Sequence, residues 1–157
     1  MITIDSWLEA AVAAVEESAP TLGFCGLERG IRAREAGPDL FGAFVALTSD
    51  VTSIQLGLLA TPTGHAALAR TLLAVGEEEE LGDADKIDSV RELANVIAGG
   101  VKRGMIRHDP GLRIGLPVFV HGALEKTASL EVVVQDWRLS GERIALVILQ
   151  GSPRRAA

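Results

Sequence analysis

Apolar residues along this chain switch between helical spacing and strict alternation, and the switches mark its elements. Ile4, Trp7, Leu8, Ala11, Val12 and Val15 recur three or four residues apart, which predicts an amphipathic helix over residues 3–18. Thr3 or Asp5 stands where a cap belongs, and Pro20 is expected to end the helix. A short strand is expected within residues 22–36. LFGAFVALT and SIQLGLL are β-rich runs joined by SDVT, a predicted hairpin. TPTGHAALARTLLAVG then reads as a helix with Thr61 as N-cap, Pro62 in the first turn and Gly76 as its stop.

An acidic loop, GEEEELGD, leads into a long helix over residues 83–104. Beyond HDPG, three strands are predicted: LRIGLPVFVHG, TASLEVVVQDWRL and ERIALVILQ, the last two joined by a turn at LSGE. Strands cluster and are linked by short turns. That order predicts an α+β domain, an antiparallel or mixed sheet with helices packed on it. Residues 1–152 read as one domain and 153–157 as a frayed tail.

Composition narrows the function classes. The chain has 157 residues, is 48% hydrophobic and carries a formal net charge of -6. An acidic protein is a poor partner for nucleic acid or an anionic membrane. No apolar run approaches the ~18 residues of a membrane span. The N-terminus lacks a basic stretch and is interrupted by Asp5, Glu9, Glu16 and Glu17, unlike a signal peptide. The single cysteine, Cys25, excludes an internal disulfide and fits a reducing cytoplasm; beside Phe24 it is expected to be a small buried hydrophobe. His65, His108 and His121 show no metal-ligand spacing, so no metal site of its own is expected. No serine lies in a nucleophile-elbow setting, and GGVKRG lacks the form of a phosphate-binding loop.

The long helix carries the chemistry. Advancing about 100° per residue, Ile87, Val90, Ala94, Ala98, Val101 and Met105 share one arc, the core face. Asp88, Glu92, Asn95 and Gly99 share another, with Lys102 and Arg103 at its edges and Val96 beside it. Asn95 is the only asparagine in the chain, and Gly99 is followed by Gly100. All three are poor helix formers. Glu92 and Asn95, at i and i+3, are neighbours on the helix surface. They offer a carboxylate and an amide that both donates and accepts. A bare glycine one turn on lets another molecule approach the backbone. Two readings stand. Asn95 is a surface or strand-tying residue and the glycines permit close helix packing, or the face docks into another protein's site. Lys102, Arg103, Arg107 and Arg113 either complement the helix C-terminus or attract an acidic partner.

DSVRELANVIAGGVKRG, residues 88–104, resembles the signature of the CheC/CheX/FliY phosphatases of bacterial chemotaxis: an acidic or Ser residue, then Glu, Asn and Gly at spacings of four, three and four. Asp88, Glu92, Asn95 and Gly99 meet it. TPTGHAALARTLLAVGEEEE and IGLPVFVHG resemble the flanking segments, and the single Glu-x-x-Asn is similar to the CheX branch. Gly100 stands where relatives often have Asn, and residues 22–38 fall outside the resemblance.

The resemblance implies a CheX/CheC-like fold and hydrolysis of the aspartyl phosphate of a CheY-like receiver. It implies catalytic roles for Glu92, which contacts the receiver's Lys, and Asn95, which holds the attacking water. Asp88, Val96, Gly99, Lys102 and Arg103 form the docking face. It further implies no cofactor of the chain's own, Mg²⁺ held by the receiver, and a homodimer, with the C-terminal strands as the sheet edge that pairs. The alternative is a non-catalytic module of the same fold that binds a receiver or motor component, or dimerises.

Overall fold

The computed structural model describes residues 2–151; the predicted frayed tail lies outside them. Three helices and seven strands follow the predicted order. Helix α1 spans Ile4–Leu22, strand β1 Glu28–Ala33, β2 Phe41–Thr48, β3 Ser53–Ala60, α2 Pro62–Leu73, α3 Asp83–Met105, β4 Arg113–Ile114, β5 Val118–Val120, β6 Leu130–Leu139 and β7 Glu142–Gly151.

Local chemistry explains most boundaries. Thr3 caps α1 by accepting the Ser6 N–H at 3.1 Å, and Thr61 caps α2 by accepting that of Gly64 at 3.2 Å. Pro20 does not end α1. It lies exposed in the last turn, where the one backbone hydrogen bond it forfeits faces water. The helix stops instead at Gly23, whose left-handed backbone turns the chain back on the carbonyls of Ala19 and Pro20. Helix α2 likewise ends on Ala74 in the left-handed region, before Gly76. Cys25 is exposed, whereas its neighbour Phe24 is buried. The turn after Gly23 sends only the phenyl ring inward.

The sheet is antiparallel throughout, in the order β1-β6-β7-β3-β2-β4, with β5 also paired to β2. LRIGLPVFVHG was expected as one strand and forms two, β4 and β5. Pro117 falls between them, and proline has no N–H to offer a ladder. The C-terminal strands β6 and β7 lie inside the sheet. They are therefore not the free edge for dimerisation; the edges are β1 on one side and β4 with β5 on the other.

All three helices pack on one face of the sheet. Trp7, Leu8, Val12, Val90, Leu93, Ile97 and Val101 meet Val45, Leu56, Trp137, Leu146 and Ile148 there. The opposite face buries Leu40, Leu59, Val134 and Val147 beneath Ala36 and Leu124 of two connecting segments. Burying both faces explains the nearly continuous apolar run of β7. Edge strand β1 is held by the buried Gln135 amide, which donates to Gly30 O at 2.9 Å and accepts from Arg32 Nε at 3.2 Å.

Candidate functional site

Helix α3 lies against α1, α2 and β2, so its buried stripe is wider than the predicted arc. Val90, Ala94, Ala98, Val101 and Met105 are buried as expected, while Ile87 is half-buried. Leu93 and Ile97 are buried as well, because helices flank α3 where a lone sheet would have left them open. What remains is a narrow solvent strip. Asp88, Glu92 and Asn95 are exposed along it, Val96 and Gly99 are half-buried at its margin, and Lys102 (half-buried) and Arg103 (exposed) close its C-terminal end. The structure thus brings every predicted site residue onto one surface of one helix.

The polar groups of the strip differ in how they are engaged. Asp88 pairs with Arg91 one turn on, at 3.6 Å. Glu92 and Asn95 join none of the ion pairs or side-chain hydrogen bonds found among the described residues. The carboxylate and the amide therefore face solvent with their hydrogen-bonding capacity free.

The paired glycines separate cleanly. A methyl group on Gly100 would sit 2.6 Å from the Ala14 methyl of α1, well inside contact distance. Gly100 is bare because α1 crosses there. A methyl on Gly99 would meet only Arg103 Nη1, at an ordinary 3.5 Å. Nothing in this fold requires glycine at position 99.

Other polar clusters serve the fold. His65 is buried, with Nε2 2.7 Å from Phe41 O. Burial lowers its pKa, opposed by that hydrogen bond and aided by the charges of His121 and Lys86. His121 is exposed and rests on Phe119, ring centroids 4.8 Å apart. Asp109 was missed as a candidate of any kind. It is buried and accepts the Ser49 and Thr52 hydroxyls, each at 2.6 Å. Those bonds, Ser49 first, hold its carboxyl below the usual range. The only sequence signal for it was the turn dipeptide Asp-Pro.

Among the described residues no three His, Cys, Asp or Glu side chains gather in a way that could hold a metal ion. No helix among them is long and apolar enough to cross a membrane. An apolar cleft among α1, α2 and α3, lined by Val15, Leu22, Leu68, Leu93 and Trp137, and a polar groove beside α2, lined by Thr63, Arg70, Glu77 and Glu142, both leave Glu92 and Asn95 outside.

The site is thus an exposed helix face with unengaged polar groups, packed on an antiparallel sheet and lying outside both clefts. The chain belongs to the CheX family: the family model described as chemotaxis phosphatase CheX matches residues 41–137, more than half its length. Solved structures share the fold. A CheC-like superfamily protein from a Shewanella species is 15% identical with a TM-score of 0.76, over 92% of this chain and 97% of that one. CheX from Vibrio vulnificus is 15% identical with a TM-score of 0.72, over 92% and 99%. The CheX–CheY–BeF3–Mg²⁺ complex from Borrelia burgdorferi matches at 18% identity and a TM-score of 0.72, over 98% and 100%. No curated protein matches the chain by sequence.

Proposed function

We propose that this chain is a phosphatase of a CheY-like response regulator and that α3 carries the chemistry. The observation that carries the reading is the solvent strip of α3. Glu92 and Asn95 stand one turn apart with no side-chain hydrogen bond or ion pair among the described residues, beside a Gly99 that the surrounding packing does not demand. A relative whose structure was solved with CheY, BeF3 and Mg²⁺ supports the choice of partner.

In this mechanism α3 enters the receiver's phosphorylated pocket. The Asn95 carbonyl oxygen accepts a hydrogen bond from water and its N–H donates nearby, aiming the water's lone pair at phosphorus. The new bond joins the water oxygen to phosphorus. The bond that breaks joins phosphorus to the aspartyl oxygen, which leaves as a carboxylate, and inorganic phosphate departs. Asn95 moves no proton; its contribution is positional, the dominant kind in phosphoryl transfer. Glu92 accepts a hydrogen bond from the receiver's lysine and holds the helix in register. The receiver brings the Mg²⁺, which offsets negative charge on the phosphoryl oxygens. We place the reaction in the cytoplasm, with this chain acting as one domain.

The test is the decay of a phosphorylated receiver from the same cell, with wild-type protein against Asn95→Ala. The wild type accelerates decay, and the substitution removes about 10²-fold or more of that acceleration. Binding without acceleration would overturn the phosphatase and leave a receiver-docking module of the same fold.

A further inference from the structure

Arg103 stands eight residues beyond Asn95, about 12 Å along the helix axis. Its guanidinium does not stay there. Nη1 lies 3.5 Å from where a methyl on Gly99 would be, and Nη2 lies 3.7 Å from the corresponding point on Gly100. The side chain therefore runs back toward the helix N-terminus, as helical side chains do, and lies over the bare Gly99–Gly100 backbone. This brings its positive charge to within about one turn, ~6 Å along the axis, of Asn95.

Arg103 joins none of the ion pairs among the described residues, as is also true of Arg70, Arg107, Arg113 and Arg138, so its guanidinium is free to meet a partner. Two observations single it out among these free cations. Its direction is opposite to the one that would complement the helix dipole, since the free carbonyls of the last turn lie C-terminal to it. It also gives the strip a polarity. Glu92 is an anion on one side of Asn95, and Arg103 is a cation on the other.

We infer that Arg103 is a specificity-determining residue for the receiver. Its guanidinium binds an anionic oxygen at the rim of the phosphorylated pocket and so fixes which way round α3 enters. The inference rests on the phosphatase reading. A phosphorylated receiver pocket supplies a phosphoryl group and carboxylates for the cation, and a lysine for Glu92. An inverted helix would place like charges together at both ends, an arrangement that rejects wrong registers. Arginine suits this role better than lysine, because its planar fork takes two oxygens at once.

The test compares wild type, Arg103→Ala and Arg103→Lys. Two readouts are followed: affinity for the receiver with and without BeF3⁻, and KM and kcat for dephosphorylation. Arg103→Ala is expected to weaken binding and raise KM about tenfold, as loss of one interfacial charge contact does, with kcat held within about twofold. Arg103→Lys recovers part of the loss. Thermal melting is unchanged in both, since the guanidinium holds no other element. A loss confined to the BeF3⁻ form assigns the contact to the phosphoryl oxygens; an equal loss in both forms assigns it to a carboxylate. Unchanged affinity and KM in Arg103→Ala, while Asn95→Ala is inactive, overturns the role of Arg103 alone. A wild-type protein that neither binds nor dephosphorylates any receiver of its cell overturns both readings.

Discussion

Gly99 and Gly100 are adjacent and chemically identical, yet they answer to different neighbours. Gly100 is bare for the sake of Ala14, 2.6 Å from where its methyl would be, whereas Gly99 has room for a side chain. Alanine at position 99 should therefore stabilise the isolated protein by up to about 1 kcal/mol, the helix-propensity difference. It should also lower kcat/KM toward a phosphorylated receiver about tenfold or more, because a methyl then stands in the partner's path. Alanine at position 100 should destabilise by about 1–3 kcal/mol through overpacking against α1. Denaturant melts and receiver dephosphorylation read both effects. A Gly99→Ala protein that is more stable and fully active would show that no partner approaches this backbone. The presence of Glu92, Asn95 and Gly99 on one face was legible from helical spacing alone. The division of labour between the glycines was not, since it depends on where α1 crosses α3, a contact between residues far apart in sequence.

At the scale of elements, α3 must be held firmly if it is to enter another protein's site. Its C-terminal end is tied down by the turn that follows. Asp109 is buried there and accepts 2.6 Å hydrogen bonds from Ser49 and Thr52 of the β2–β3 hairpin, fastening the end of α3 to the sheet. The carboxylate form makes these bonds, so its pKa in the folded chain lies below the ordinary 3.8. The sign follows. The stabilisation is complete above about pH 3.8 and is lost as pH falls through the lower folded value. Asp109→Asn should lower the melting temperature near neutral pH and flatten this part of the acid limb. Identical melting curves for mutant and wild type down the acid range would show the staple to be inert. Sequence patterning read SDVT as a hairpin turn and HDPG as the stretch before the next strands, but could not join the two. Sixty residues separate Ser49 from Asp109, and only the pairing of β2 with β4 brings the two turns together.

At the scale of the whole molecule, the sheet has two free edges, and they differ. Strand β1 is charged: its Arg29 and Arg32, and Arg34 just beyond it, are paired with Glu16, Glu9 and Asp5 of α1, a composition that discourages strand addition. The β5 edge is apolar, with Leu116 86%, Val118 58% and Val120 43% exposed. A second copy of this chain is the occupant we propose for that edge, which buries the stripe and satisfies unpaired backbone groups. Val118→Lys should then shift sedimentation from dimer toward monomer with little change in monomer stability. A wild type that sediments as a monomer would remove the dimer. The C-terminal strands cannot serve, because β6 and β7 are the interior of the sheet.

The sequence by itself determined what short-range physics controls. Helical and alternating spacing placed the three helices and the longer strands, Thr61 was legible as a cap and Thr3 as one of two candidates with Asp5, and the spacing of Asp88, Glu92, Asn95 and Gly99 set the composition of the α3 face. Tertiary structure decided what depends on distant partners. It decided that β7 lies between β6 and β3, that α1 continues through Pro20 to Gly23, that Cys25 faces solvent, and that one predicted strand splits at Pro117. It also decided that Gly99 has room for a methyl group where Gly100 has none. Periodicity reports which side of an element is apolar. It carries no information about which other element covers that side, because that choice is made by pairings whose residues lie tens of positions apart.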